Sequence, residues 1–290
     1  MNIARQIEEI EQRRSARLLV FAASNLDIEL LPALYDTLRE IGRGERLDVL
    51  LSCRGGAVTA ARRIALLLHD FTDRLAFLVP DRCESAGTIA VLAGHEIVAG
   101  PAAVFSPVDP LLQAPFAADA DGPPAISAQD VRLFARMSSD WFGIAPEEAG
   151  QRALAILCDN VFPTSLTAFY RSTLEVEAVC LELLALAAPD GAEDVRRRIV
   201  DGLLFGHHSH GFALARADLE ALGLPMRGDG PVEDLAWEIA AQLRAGVGGG
   251  ARASLDEDWC DTLLATRSGA RRRRRSPDGL AAVWEAEATS

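Results

Sequence analysis

Apolar residues alternate between two patterns along the first hundred positions. Short, compact apolar runs predict buried strands; these runs are 17–23, 47–52, 74–79, 96–99 and 103–105. Helices are predicted before and between these runs. The segment 27–41 has apolar residues at helical spacing and 57–71 is a further helix, whereas 2–14 is predicted to be a short, exposed helix and 85–94 a helix of small and apolar residues. The alternation predicts an α/β fold with a mostly parallel sheet and flanking helices.

The rest of the chain changes character twice. From 127 to 188 the pattern is helical throughout, and from 246 onward periodicity is lost in favour of glycine and arginine. Such a segment is typical of flexible chain. We therefore expect a helical C-terminal part and three units: an exposed N-terminal helix over 1–16, the α/β domain over 17–245 and a flexible tail over 246–290.

Charge narrows the function classes. The 290 residues include 42 acidic and 29 basic side chains, for a net charge of −13. A chain this acidic repels phosphate, so nucleic acid is not an expected partner. All 29 basic residues are arginine. The absence of lysine excludes Schiff-base chemistry, pyridoxal phosphate attachment and a lysine general base.

The cysteines and the N-terminus indicate a compartment. The five cysteines show no CxxC or metal-ligand spacing, which favours free thiols in a reducing environment. Residues 1–17 are polar and lack the apolar core of a signal peptide. No apolar run reaches the roughly 20 residues of a membrane-spanning helix. We expect a cytoplasmic protein that has no membrane partner.

A glycine pair follows the second predicted strand. Gly55-Gly56 lets the backbone turn sharply and present N–H groups to a ligand. Such groups can form an oxyanion hole for acyl transfer. The alternative is a plain turn.

Ser85 lies between a strand and a helix, in Glu84-Ser85-Ala86-Gly87-Thr88. The helix dipole there favours negative charge near the serine oxygen, and the small residues Ala86 and Gly87 let a substrate carbonyl approach. The alternative is a simple N-cap. Further along, Asp109 stands between two prolines, which present it rigidly or form a structural turn.

Two charged clusters complete the candidate chemistry. His207, His208 and His210 could hold a metal, supply a general base or serve as loop histidines. No partner cluster of Cys, Asp or Glu stands at ligand spacing, so neither a metal nor a cofactor is predicted. Arg271–Arg275 could bind acidic surfaces or nucleic acid, or stay a solvated run.

Together these motifs resemble the Clp-protease/crotonase superfamily. Within it, the chain is similar to the serine dehydrogenase proteinase family, relatives of signal peptide peptidase A. The middle block, ESAGTIAVLAGHEIVAGPAAVFSPVDPLL, is the most diagnostic. The stretches that carry the resemblance are 52–68, 84–112, 163–172 and 209–226.

The resemblance implies a serine hydrolase of the serine protease type. Ser85 would be the nucleophile, and the N–H groups of Gly55, Gly56 and Ala86 would bind the oxyanion. The sequence departs from the family in its base: a Ser-Lys dyad needs the missing lysine, and the segment that carries the Clp histidine reads SPVDP here. Three alternatives remain open. The base is His210 (or His207 or His208), Asp109 is a weak base or an orienting group, or Ser85 is not activated.

The leading hypothesis is therefore a peptidase that acts on a peptide or protein substrate. The resemblance also implies a homo-oligomer, for which the amphipathic stretch 171–186 could be the interface. The main alternative is a catalytically inactive pseudoprotease that acts as an oligomeric scaffold for peptides or proteins. An acyl-CoA enzyme of the crotonase type and nucleic-acid binding through the arginine run are weaker alternatives.

Overall fold

The computed structural model describes residues 3–113, 125–160, 162–247, 260–274 and 283–287. Its helices in chain order are α1 (Ala4–Arg14), α2 (Leu31–Ile41), α3 (Val58–His69), α4 (Ala86–Val91), α5 (Ala128–Phe142), α6 (Pro146–Asn160), α7 (Pro163–Ala187), α8 (Glu193–Phe205), α9 (Arg216–Leu222) and α10 (Gly230–Gly246). A 3-10 turn, Ile28–Leu30, precedes α2.

The strands alternate with these helices. They are β1 (Arg17–Ala23), β2 (Gly44–Cys53), β3 (Thr72–Val79), β4 (Arg82–Cys83), β5 (Glu96–Ala99), β6 (Val104–Phe105), β7 (Leu111–Gln113), β8 (Ala125–Ser127), β9 (Met226–Arg227), β10 (Thr262–Thr266), β11 (Gly269–Arg274) and β12 (Val283–Glu287).

The main sheet runs in the order β12-β11-β10-β1-β2-β3-β5-β9. From β1 to β9 every pairing is parallel, whereas β10, β11 and β12 pair antiparallel. Short β4 and β6 extend the sheet beyond the end of β2. The predicted α/β class with a mostly parallel sheet is confirmed.

Both faces of this sheet are buried. In β1, Leu19 and Phe21 pack into one core while Leu18 and Val20 pack into the other, because successive side chains of a strand point to opposite faces. Helices cover each face, as a continuous apolar run such as β1 requires.

The N-terminal helix differs from expectation. It was expected to be exposed, but Ile3, Ile7 and Ile10 are fully buried and pack in one cluster with Ile239 of α10. These isoleucines stand at i, i+4 and i+7 and form a single apolar stripe along a helix that is otherwise mostly polar and charged. The spacing is present in the sequence, but the surface that buries it, α10 and the second face of the sheet, is formed only by the fold.

The flexible tail predicted from 246 is also wrong for the part that the structure describes. β10 pairs antiparallel with β1, with Val20 opposite Ala265, and β11 pairs with β10. These strands cover an edge that β1 would otherwise expose. The rest of the predicted tail, 248–259, 275–282 and 288–290, lies outside the described residues.

The sheet places the candidate residues on one edge. Asn25, Gly55 and Ser85 follow the carboxyl ends of β1, β2 and β4, where α/β sheets build their ligand sites. No helix among the described residues is both long enough and apolar enough to cross a membrane.

Candidate active site

The glycine pair forms a tight loop against the turn after β1. Gly55 and Gly56 have φ of +134° and +137°, and a Cβ on Gly56 would overlap the backbone of Leu26. Leu26 N–H donates to Gly55 O at 2.8 Å, and Ala57 N–H donates to Leu26 O at 2.9 Å. Within the described part of the chain, the N–H groups of the two glycines donate to no acceptor. They are thus available to a ligand.

Ser85 is held in a strained backbone conformation. Its φ of +52° with ψ of −113° is unusual for a residue with a Cβ. Its N–H donates to Ser106 Oγ at 2.8 Å, Ser106 N–H donates to Thr88 Oγ1 at 3.2 Å, and the Thr88 hydroxyl donates to Cys83 O at 2.9 Å. This chain of hydrogen bonds fixes the turn from two sides.

The hydroxyl of Ser85 is not used structurally. Ser85 occupies the N-cap position of α4, but its hydroxyl makes no capping hydrogen bond to that helix. Among the residues that the structure describes, it has no hydrogen-bond partner at all. A strained residue with an uncommitted hydroxyl at a strand-to-helix turn is typical of a nucleophile.

Asp109 and His210 meet although 101 positions separate them. His210 Nδ1 lies 3.0 Å from Asp109 Oδ1, with side chains 23% and 4% exposed respectively. Because a carboxylate oxygen only accepts, Nδ1 carries the proton. Two hydrogen bonds of 2.9 Å between the backbones of Phe105 and Leu214 bring the two segments together. Asp109 therefore orients the imidazole and leaves its Nε2 for other partners.

A cavity of about 630 Å³ gathers these groups. Ser85, Gly55, Gly56, Asp109 and His210 all line it. The other lining residues are Asn25, Arg54, Ala57, Val58, Thr59, Ile89, Val108, Pro110, Ser172, Glu175 and Val176.

The other two histidines of the cluster lie outside this lining. His207 stacks on Phe212 with ring centroids 4.4 Å apart, and His208 is exposed. Among the described residues no group of three or more His, Cys, Asp or Glu side chains could hold a metal ion.

Ala86 and Gly87 do not line the cavity. Ala86 is 1% exposed. Gly87 N–H donates to Glu84 O at 2.8 Å, and a Cβ on Gly87 would overlap the Sγ of Cys53 and crowd that of Cys83. Burial raises the pKa of the Cys83 thiol well above its usual range. Gly87 thus packs against the thiols of Cys53 and Cys83 and does not line the cavity in which we would expect the substrate.

The arginine run is part of the sheet. Arg271 donates to Glu40 at 2.5 and 2.9 Å, and Arg273, 2% exposed, donates to Asp27 at 2.6 Å and Asp261 at 2.8 Å. Burial alone would lower the pKa of Arg273, but the two carboxylates outweigh it and raise that pKa. The prediction of a solvated or ligand-binding run is wrong for these two residues; Arg275 lies outside the described residues.

Sequence reasoning missed several residues of the site. Ser106 carries no signal of its own, because only the fold brings its hydroxyl to the backbone of Ser85. Asn25 and Arg54 could have been found, since each follows the carboxyl end of a predicted strand. Ser172 and Glu175 project from α7, which no local pattern links to the sheet edge.

Residues 7–120 match the ClpP-like SDH-type serine proteinase family. This match confirms the family resemblance predicted from the sequence. An uncharacterised protein of Methanocaldococcus jannaschii is 30% identical over 123 residues, which are 38% of this chain and 42% of that protein. The chain thus spans less than half the length of this relative.

Solved structures show weaker likeness. A mutant of the membrane-bound stomatin-specific protease 1510-N is 15% identical over 46% of this chain and 69% of that chain, with a TM-score of 0.30. An enoyl-CoA hydratase described as putative, from Streptomyces coelicolor A3(2), is also 15% identical, over 79% and 70% of the two chains, with a TM-score of 0.37. At these scores neither likeness bears on what the chain does.

Proposed function

We propose that this chain, whose residues 7–120 carry the ClpP-like SDH-type serine proteinase pattern, is a serine peptidase with a Ser85–His210–Asp109 triad. One observation carries the proposal. The hydrogen bond between Asp109 and His210 lies on the wall of the cavity that also contains the uncommitted hydroxyl of Ser85. A serine needs such an oriented base because its hydroxyl alone is a weak nucleophile.

Each group has a defined task in this proposal. Ser85 Oγ attacks the substrate carbonyl carbon while its proton moves to His210 Nε2. The C–N bond then breaks, and the proton on Nε2 passes to the departing amine. Water hydrolyses the remaining ester by the same route in reverse. Asp109 stays ionised and holds the imidazole in the required tautomer.

The glycine loop supplies the second element of catalysis. Negative charge develops on the carbonyl oxygen when Oγ attacks, and preorganised N–H groups stabilise it. The N–H groups of Gly55 and Gly56 are uncommitted within the described residues and line the same cavity as Ser85. Ala86 does not line the cavity, but its N–H is the first of α4, directly follows Ser85 and donates to no acceptor among the described residues, so it would be the third donor.

The inactive scaffold remains the second candidate because of one observation. Within the described residues, no hydrogen bond joins Ser85 Oγ to His210. Catalytic hydrogen bonds are often long before substrate binds and tighten afterwards. In a scaffold, the hydrogen bond between Ser85 Oγ and His210 would stay unformed whichever ligand is bound.

A fluorophosphonate probe, which reacts with activated serines, separates the two candidates. We expect the protein to be labelled, Ser85→Ala to abolish labelling and His210→Gln to slow it by about 10²- to 10⁴-fold. His208→Gln is the matched control, because that exposed histidine lies two positions from His210 and outside the cavity. Absence of labelling in the unchanged protein would favour the scaffold, whereas full labelling of Ser85→Ala would overturn Ser85 as the nucleophile.

A peptide or protein substrate, assembly into a homo-oligomer and a cytoplasmic location belong to the same proposal. The family match supports a peptidase and its usual oligomeric habit. Light scattering of the purified chain measures the oligomeric state directly.

A further inference from the structure

A second cavity, of about 250 Å³, adjoins the proposed catalytic one. Asp109 and Pro110 line both cavities, whereas neither Ser85 nor His210 lines the second. The smaller cavity therefore meets the catalytic one at Asp109 and Pro110, and its wall includes neither the nucleophile nor the base. We refer to it as the α5/α7 cavity, because those helices form most of its wall.

The wall of the α5/α7 cavity is apolar. Leu166, Phe169 and Tyr170 present one face of α7, at positions three and four apart. Val131 of α5 and Phe205 at the end of α8 close the other sides.

Apart from the Tyr170 hydroxyl, which has no hydrogen-bond partner among the described residues, the polar side chains in that wall already have protein partners. Gln129 Nε2 donates to Leu204 O at 3.0 Å, and the Thr173 hydroxyl donates to Phe169 O at 3.0 Å. Asp109 bonds to His210, and the guanidinium carbon of Arg132 lies 3.9 Å from the ring centroid of Phe205. A polar ligand group would have to displace these contacts, so an apolar group fits the cavity best.

The cavity is also open to a ligand. Tyr170 is 65% exposed although it lines the wall. A large apolar surface that folding leaves accessible is typical of a binding site.

The chemistry of the proposed triad indicates which part of a substrate would occupy the α5/α7 cavity. In peptide cleavage the base passes its proton to the departing amine, so the leaving segment of the substrate lies on the histidine side of the nucleophile. Asp109, the partner of the histidine, and Pro110 also line the α5/α7 cavity, so that cavity continues the histidine side of the site. We propose that this cavity is a subsite for a large apolar side chain of the leaving segment, a proposal that rests on the proposed peptidase function.

Capture of the acyl-enzyme tests this inference without knowledge of the natural substrate. A nitrophenyl ester acylates Ser85, and an added amine then competes with water for the acyl group from the leaving-group side. The amines are phenylalaninamide and alanyl-phenylalaninamide, each compared with its serine analogue. We expect the aromatic amines to capture the acyl group about tenfold more efficiently or better, which is the scale of discrimination in an apolar pocket.

Variants of α7 locate the effect. Phe169→Ala and Tyr170→Ala should bring the capture ratio toward one. The ratio compares two amines that react with the same acyl-enzyme, so it does not depend on how fast each variant is acylated. Tyr170 is largely exposed, so its truncation leaves the fold intact even if that of Phe169 does not. Phe162→Ala is the matched control: Phe162 precedes the same helix, is 76% exposed and does not line the cavity.

The possible outcomes separate the two proposals. Ester turnover with equal capture of aromatic and serine amines overturns the subsite alone. A preference that Phe162→Ala removes but Tyr170→Ala keeps also overturns it. Absence of both ester turnover and fluorophosphonate labelling overturns the peptidase, and the subsite with it.

Discussion

At the scale of single residues, the hydroxyl of Ser106 holds the backbone of Ser85 in place, a role that no sequence motif predicts. It accepts the N–H of Ser85 and is itself 4% exposed. Through this bond the strained φ of Ser85 is tied to the segment that also carries Asp109. Ser106 is thus a positioning residue, and it lies three positions before Asp109, the proposed orienting carboxylate.

Removal of this acceptor should misplace the nucleophile. We expect Ser106→Ala to slow fluorophosphonate labelling by about 10- to 100-fold, because small displacements of a reacting group have large effects on rate. Ser106→Thr keeps an oxygen at the same position and should restore most of the rate. Equal rates for Ser106→Ala and the unchanged protein would refute the positioning role.

Gly87 gives a prediction about stability. Its missing Cβ leaves room for the thiol of Cys53, so Gly87→Ala should overpack the core and lower the free energy of unfolding by about 1–3 kcal/mol. Cys53→Ala in the same chain should recover part of this loss. Gly150→Ala is the control: it lies in α6 with open space around it, and there alanine should stabilise the helix by up to about 1 kcal/mol. Urea unfolding measures all four chains.

At the scale of elements, the local pattern predicts some strands closely and misses others. The apolar run 17–23 corresponds to β1, Arg17–Ala23, because a strand buried on both faces needs apolar residues at every position. Four of the six residues of β11 are arginine, so no hydrophobic pattern predicts this strand. Its stability depends on carboxylates of Asp27 and Glu40, which lie more than two hundred positions earlier.

Two arginines of β11 should differ sharply in their contribution. Arg273→Met leaves Asp27 and Asp261 without their buried cation and should lower the free energy of unfolding by about 3–5 kcal/mol. Arg271→Met removes a pair whose carboxylate is largely exposed and should cost about 1 kcal/mol or less. Equal losses in urea unfolding would contradict the assigned burial.

The sequence also predicts part of the candidate site and leaves the rest open, as it does for the strands. The glycine pair and Ser85 stand in the turns where sequence reasoning placed them, because each directly follows a strand. The sequence left three histidines open as the base. Only the tertiary pairing of Phe105 with Leu214 brings His210, rather than His207 or His208, to Asp109.

At the scale of the whole molecule, the packing of helices on the sheet depends on groups that must stay neutral. His69 Nε2 lies 2.7 Å from Ala93 O, and His95 Nδ1 accepts the N–H of Leu75 at 3.1 Å. Burial is the main cause that lowers the pKa of both histidines. His69 therefore links the end of α3 to the turn before β5, and His95 links that turn to β3.

This pair predicts a dependence of stability on pH. Unfolded histidine has a pKa of about 6.5, above the lowered values in the folded protein, so the unfolded state binds protons first as pH falls. The stabilisation should be complete above about pH 7 and decline below about pH 6.5. Urea unfolding between pH 8 and pH 5 measures the slope. His69→Gln should flatten it, whereas His208→Gln, at an exposed position, should not.

The position of β10 beside β1 has a consequence for how the protein is made. Val20 pairs on one side with Leu50 and on the other with Ala265. On the ribosome, β2 emerges soon after β1, but β10, which covers the opposite edge, is synthesised only after every element from β2 to α10. Until then the nascent chain presents an open, apolar strand edge, the kind of surface that recruits chaperones or pairs with a neighbouring chain. The edge of β1 is therefore closed only by a strand made after the rest of the parallel sheet.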